Sequence, residues 1–174
     1  MATKNPSVML ESPKPDAPKI DIGLPEQVRK EICDDLANIL ADTYTLYLKT
    51  HYYHWNITGG LFQPLHEVFE QQYMDLWQAV DTLAERMRIL GAVAPGTYTA
   101  FHKLTKIEED EEGHVPKATD MLRNLVAGHE TAAKRIRKAM PTVEKDHDQG
   151  TLDLYVERLR FHEKTAWMMR SFLG

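Results

Sequence analysis

The chain has 174 residues, a formal charge of −5 and one cysteine. Its length predicts a single domain that is able to bury a substantial core. The negative charge argues against a generally basic nucleic-acid-binding surface, and the lone Cys33 excludes an intramolecular disulfide framework. Because the sequence has neither a membrane-length apolar run nor a signal-peptide pattern, we expect a cytoplasmic protein without membrane association.

Residues 1–24 are predicted to form a flexible tail ahead of a helical domain that spans residues 25–174. The tail contains four of the nine prolines and has no sustained hydrophobic periodicity. Its three lysines are balanced by three acidic residues, so it carries no net charge and would release few counterions from DNA. DNA binding is therefore a possible but less favoured function.

Apolar residues spaced three and four apart predict a first long helix from just after Pro25 to about His54. Cys33 lies on its apolar face and is interpreted as a buried structural thiol. His51 and His54 share one face near the end of the helix, and His51 is interpreted as a packed or solvent-bridging residue. The sequence at 58–60, Thr-Gly-Gly, then predicts a turn that reverses the chain.

A second long helix is predicted to begin near residues 63–64 and to end at Gly91. It carries two pairs of metal-competent side chains, each with i,i+4 spacing: His66 and Glu70, then Asp81 and Glu85. At about 100° per residue all four lie on one stripe, which also includes Tyr73 and Trp77. The pattern predicts a metal-binding face with aromatic residues on it.

The two pairs cannot bind the same ion within one chain. His66 and Asp81 are fifteen residues apart, which corresponds to roughly 22 Å along a helix. Either the chain has two separate sites, or each pair meets the opposite pair of an antiparallel symmetry mate across a two-fold axis. In the second arrangement His54 is placed to complete the histidine side of a shared site.

The remaining sequence predicts a long connection and two further helices. Residues 92–115 include a short helix from Tyr98 to Leu104 and a solvated acidic run, and a third helix is predicted from Pro116 until Pro141 ends it. The fourth helix has a heptad-like core stripe in which His162 is the polar member. An inward histidine needs a partner, so His162 is either a satisfied core residue or an additional metal ligand.

The segments HWNITG, LHEVFE and DTLAER, followed by GAVAPGTYTAF and HEKTAWMMRSFL, resemble the Dps family of mini-ferritins over roughly residues 25–174. The resemblance implies an all-α, ferritin-like four-helix bundle with a short extra helix in the long connection between helices 2 and 3. It implies metal binding by the matching positions, which are His54, His66, Glu70, Asp81 and Glu85. The family usually has aspartate at the position of Glu70, so direct ligation and support of a ligand both stay open there.

The resemblance also implies a reaction. Imidazole and carboxylate donors suit Fe(II), with Zn(II) or Mn(II) as substitutes, and several carboxylates favour the ferric state. The expected activity is oxidation of Fe(II), preferably by hydrogen peroxide, at di-iron ferroxidase sites shared between subunits of a hollow dodecamer. Ferric mineral would be stored inside, which protects against oxidative stress. Trp55 and Trp77 are interpreted either as radical quenchers or as packing residues.

Acidic residues at the start of the fourth helix line iron-entry pores in Dps-like shells, which makes Asp148 and Asp153 candidates for that role. Capping of the helix N-terminus is the alternative for Asp148.

Three other functions fit the sequence less well. An intrachain di-iron bundle needs a Glu-x-x-His motif on each of two helices. The spacing from Glu111 to His114 lies beside Gly113 and before Pro116, where a helix is not expected, so this function is weakly supported. A nucleoid-compacting protein with a secondary metal site is opposed by the neutral tail and the acidic composition. A bundle that is only an interaction scaffold does not explain four ligands on one stripe.

Overall fold

The structure, a computed structural model, describes residues 19–174, so most of the predicted tail lies outside the described residues. The helices in chain order are α1 (Glu26–Asn56), α2 (Phe62–Ile89), α3 (Tyr98–Leu104), α4 (Ala118–Lys145) and α5 (Gln149–Ser171). The four long helices pack together, α1 on α2 and α4 on α5, and α3 lies against α1 in the crossover. The predicted four-helix bundle with an extra helix between its second and third members is confirmed.

The core is built from apolar residues at helical spacing. One cluster occupies the end of the bundle that includes Ile32, Leu36 and Tyr155, and a second surrounds Phe69 and Met169. Full burial of one large apolar side chain stabilises the fold by about 1.5–3 kcal/mol compared with leaving that side chain exposed to solvent. None of the described helices is long and apolar enough to cross a membrane.

Buried polar contacts attach the crossover to α1. The Asp42 carboxylate accepts a hydrogen bond from the Thr105 hydroxyl at 2.9 Å. Further along, Asp110 forms an ion pair with Lys49 at 2.8 Å and accepts a hydrogen bond from the Tyr53 hydroxyl at 2.8 Å. These contacts hold the connection, and with it α3, alongside α1.

The ends of the helices follow the sequence signals with one exception. Gly91 has φ of 93°, a left-handed conformation suited to glycine, and α2 ends just before it as predicted. The prediction that Pro141 ends the third bundle helix is wrong, because α4 continues to Lys145. Burial of Val143 and a hydrogen bond between Thr142 and Asp35 stabilise this last turn, where proline removes a backbone bond only near the end of the helix.

Candidate metal centre

The turn between α1 and α2 brings two histidines into contact. His54 lies in the last turn of α1 and His66 in the second turn of α2, and Gly59 between them has φ of 91°. The Nδ1 atom of His54 lies 2.9 Å from the backbone oxygen of His66, and Nδ1 of His66 lies 2.9 Å from the backbone oxygen of His54. The two rings stack with centroids 3.7 Å apart and planes inclined by 19°.

This reciprocal pairing determines which nitrogen of each ring is available. A backbone carbonyl oxygen only accepts hydrogen bonds, so Nδ1 of both histidines must carry the proton and donate it. In the neutral form of each ring the Nε2 atom then keeps its lone pair, and this is the form in which histidine binds metals. A carbonyl acceptor on the other ring nitrogen is also the usual support of a metal-bound histidine.

The three predicted acidic ligands lie further along the same helix. Glu70, Asp81 and Glu85 are all exposed on α2, and the Glu70 carboxylate interacts with the hydroxyl of Tyr73. Trp77, on the same face, is 54% exposed. Within residues 19–174 of one protomer, no three histidine, cysteine, aspartate or glutamate side chains converge where they would hold a metal ion.

Aromatic rings surround the histidine pair. His51 stacks on Tyr73 at 4.0 Å between centroids and contacts Trp55 at 4.1 Å, so it is a packed residue. Burial and the neighbouring His54 lower the pKa of His51. A metal bound near His54 would therefore meet aromatic surfaces on this side.

His162 does not join the other candidates. It is fully buried between α4 and α5, where its Nδ1 lies 2.9 Å from Nδ1 of His129, a residue that the sequence interpretation missed. Burial lowers the pKa of His129 to about 3, and burial together with His129 and Arg158 also lowers that of His162. The structure thus gives His162 the inward partner that its position on the core stripe requires.

Asp148 caps the N-terminus of α5. Its carboxylate accepts hydrogen bonds from the backbone N–H and hydroxyl of Thr151 and forms an ion pair with Arg86 at 2.6 Å. Burial opposes ionisation, but the bonds from Thr151 and Arg86 outweigh it and hold the Asp148 pKa below its usual value. Asp148 is 4% exposed, whereas Asp153 is exposed on the next turn.

Comparisons with known proteins agree with this fold. The model of the ferritin-like domain family matches residues 33–174. A low temperature-induced protein of Nostoc sp., itself uncharacterized, is 38% identical over 90% of this chain and 87% of its own length. DNA protection during starvation protein 2 of Bacillus anthracis is 30% identical over 84% of this chain and 99% of its own.

Solved structures give the same assignment. DpsC from Streptomyces coelicolor has a TM-score of 0.86 at 30% identity and covers 90% of this chain and 91% of its own. The Dps protein of Vibrio cholerae, described as a member of the ferritin-like diiron-carboxylate superfamily, has a TM-score of 0.84 at 29% identity, covering 91% and 99%. The chain therefore belongs to the Dps family of ferritin-like proteins.

Proposed function

We propose that this protein is a mini-ferritin that oxidises Fe(II) at sites shared between protomers and stores the ferric product. The observation that carries the proposal is the His54–His66 pair, whose Nδ1 atoms both lie 2.9 Å from backbone carbonyl oxygens, which leaves Nε2 of each ring as the nitrogen that can bind a metal. The diiron-carboxylate description of the similar Vibrio cholerae protein supports iron as the metal.

The carboxylates come from a second protomer. His66 and Asp81 are separated by roughly 22 Å along α2, so the histidine pair and the acidic pair of one chain bind different ions. A two-fold axis brings Asp81 and Glu85 of one protomer to His54 and His66 of the other, and forms two identical sites. The exposure of both acids in the single protomer supports this arrangement. Glu70 lies on the histidine side of the shared site, where it either binds the metal directly or forms a hydrogen bond that supports a metal ligand.

The donor set suits the proposed reaction. Imidazole and carboxylate ligands bind Fe(II), and also Zn(II) or Mn(II), while anionic oxygen donors stabilise Fe(III). Two Fe(II) ions each give one electron to hydrogen peroxide, whose O–O bond breaks, and two protons complete two molecules of water. Paired oxidation of this kind avoids hydroxyl radical. The ferric ions then hydrolyse and mineralise inside a hollow dodecamer in the cytoplasm, and protection from oxidative stress follows.

DNA binding is the less favoured function. Relatives carry the name DNA protection during starvation protein, but this chain has a net charge of −5. A protein that neutralises phosphates with lysine or arginine loses DNA affinity steeply as salt rises. A gel-shift series from low to physiological salt is expected to show no retained complex, and a complex with a steep salt dependence would restore the alternative.

Anaerobic loading with Fe(II), followed by hydrogen peroxide at a ratio of about one per two irons, tests the proposal on protein of measured assembly size. Rapid ferric absorbance in a shell-sized oligomer is expected. His66→Ala and Asp81→Ala should each lose this reaction while they still assemble. His102→Ala and Glu144→Ala, at exposed positions on α3 and α4, are matched controls and should keep it. Unchanged kinetics in both site variants would contradict the assignment.

A further inference from the structure

We propose that Tyr73, Tyr47, Tyr44 and Tyr98 form a chain that carries a one-electron oxidising equivalent from the candidate metal centre to α3. The source of the oxidant rests on the iron oxidation proposed above, whereas the chain itself rests on ring geometry within one protomer. Its purpose is to remove a radical that would otherwise attack the metal ligands.

The rings are in continuous contact. Tyr73 lies 5.2 Å from His54 between ring centroids, and Tyr47 lies 6.3 Å from Tyr73. Tyr44 follows at 5.9 Å from Tyr47, and Tyr98 follows at 6.4 Å from Tyr44. This series of rings runs from His54, a proposed metal ligand, to the crossover helix α3 without a gap between neighbouring rings.

Each phenol in the chain also has a polar partner for its proton. The Tyr73 hydroxyl interacts with the Glu70 carboxylate, and the Tyr47 hydroxyl lies 3.3 Å from Nδ1 of His51. The hydroxyl groups of Tyr44 and Tyr98 interact with each other. Because oxidation of a phenol at neutral pH releases its proton, a nearby acceptor lets the electron and the proton move together.

The steps balance in electrons and in protons. When Fe(II) reduces hydrogen peroxide by a single electron, the O–O bond breaks to give Fe(III), hydroxide and a hydroxyl radical. The radical takes the phenolic hydrogen of Tyr73, forming water and a tyrosyl radical. Each following tyrosine gives one electron to the radical before it, releases its proton to its own polar partner and becomes the radical itself. The phenolate formed before it takes up one proton from its partner or from water, so that Tyr73, Tyr47 and Tyr44 are restored.

Tyr98 is the end of the chain because it is 74% exposed in the protomer. Two Tyr98 radicals from different chains couple by forming a carbon–carbon bond, and the hydrogen on each coupled carbon moves to its oxygen. The product is dityrosine. Tyr44 is only partly exposed and stacks on the buried Phe101 at 4.5 Å, so it relays the radical rather than ending the chain.

An iron-free experiment tests the chain directly. Trp77 contacts Tyr47 at 5.5 Å, so it can serve as the entry point for the oxidising equivalent. With Trp55 and Trp167 replaced by phenylalanine, Trp77 is the single tryptophan of the protein. Azide radicals, generated by pulse radiolysis, oxidise it by one electron and become azide ions, and a spin-trap label followed by peptide mapping then locates the final radical.

We expect the Trp77 radical to decay at a rate independent of protein concentration as tyrosyl radical grows, with the label on Tyr98. Tyr44→Phe, which keeps the ring contact with Phe101, should lose the label on Tyr98, and Trp77→Phe should lose it too. Tyr52→Phe is the matched control, since this α1 tyrosine donates to the backbone oxygen of His114, outside the chain, and should keep the label. An undiminished label on Tyr98 in the Tyr44→Phe protein would overturn the proposal.

A second experiment, with iron-loaded protein, distinguishes failure of the tyrosine chain from failure of the proposed iron oxidation. The assembled wild type and Tyr44→Phe proteins, given Fe(II) and excess peroxide, should oxidise iron equally fast while only the wild type accumulates dityrosine at Tyr98. Equal dityrosine in both would overturn the chain and leave the iron oxidation intact. Absence of iron oxidation in both would contradict the proposed function, and the azide experiment would still decide the chain.

Discussion

His54–His66 and His129–His162 are two pairs of neighbouring histidines, and their surroundings differ in ways that matter for metal binding. His54 and His66 lie at the α1–α2 turn, and both donate from Nδ1 to backbone carbonyls. His129 and His162 lie between α4 and α5, bond to each other through Nδ1, and are fully buried. Contact between two histidines therefore indicates no function until the partner of each ring nitrogen is known.

The interior pair is arranged to stay neutral. The Nε2 atoms of His129 and His162 have no hydrogen-bond partner among the described residues. The buried guanidinium of Arg158, which pairs with Asp75 at 2.6 Å, disfavours any further positive charge on these rings. A divalent cation would meet the same repulsion from the Arg158 guanidinium. The pair at the turn has the exposed Glu70 carboxylate one turn after His66 on the same helix.

The largest expected difference between the pairs is in iron oxidation. His66→Gln removes a proposed ligand and should slow Fe(II) oxidation by peroxide by at least about 10- to 100-fold, since even supporting residues of metal sites have effects of that size. His129→Gln makes the same substitution in the interior pair and should leave the rate per assembled shell unchanged. Stopped-flow ferric absorbance measures both. A similar loss in the two variants would remove the distinction between the pairs.

The next effect is on stability at mildly acidic pH. The folded-state pKa of His129 is about 3, below the ordinary value of 6.5, so the unfolded chain binds the proton more readily. The stabilisation is complete above pH 6.5 and is lost as the pH falls toward 3. For His129 alone, linkage gives a loss of about 2 kcal/mol in unfolding free energy between pH 7 and pH 5. His162 changes in the same direction.

Chemical denaturation at the two pH values measures this loss. A His129→Leu, His162→Leu double variant should show a smaller decrease from pH 7 to pH 5 than the wild type, because the groups that take up protons on unfolding are gone. His54 and His66 are not substituted in either protein of this comparison. An equal decrease in the wild type and the double variant would show that the interior pair does not remain neutral in the fold.

The smallest expected effect distinguishes the two acids at the start of α5. Asp148→Ala removes a cap and an ion pair with Arg86, and should reduce unfolding free energy by about 0.5–2 kcal/mol from the cap alone. Asp153→Ala, one turn later and exposed, is the matched control and should change stability little. Denaturant midpoints measure both. Equal stability of the two variants would contradict the capping role of Asp148.

Periodicity predicted the fold well because each helix buries one apolar stripe. Even α3 was predicted from Tyr98 to Leu104, since a turn signal precedes it and apolar residues recur within it. Pro141 was misjudged because its local effect is outweighed by the burial of Val143, which depends on tertiary packing. Sequence signals near a helix end do not contain that information.

The candidate site was predicted as a list of residues but not as a geometry. The spacing of His66, Asp81 and Glu85 follows from helical periodicity, whereas the mutual carbonyl bonds of His54 and His66 depend on how the α1–α2 turn closes. His129 was overlooked although it lies four residues after Leu125 on the apolar stripe of α4. That spacing was the signal by which it could have been found as the partner of His162.

The measurement that tests the central claim most directly is complementation between His66→Ala and Asp81→Ala in mixed assemblies. In a site shared across a two-fold axis, each mixed dimer has one site with both defects and one that is intact. Random reassortment makes about half of the dimers mixed, so about a quarter of all sites should regain Fe(II) oxidation by peroxide. If each chain formed its own site, the mixture would be as inactive as the separate variants, and the shared-site account would be wrong.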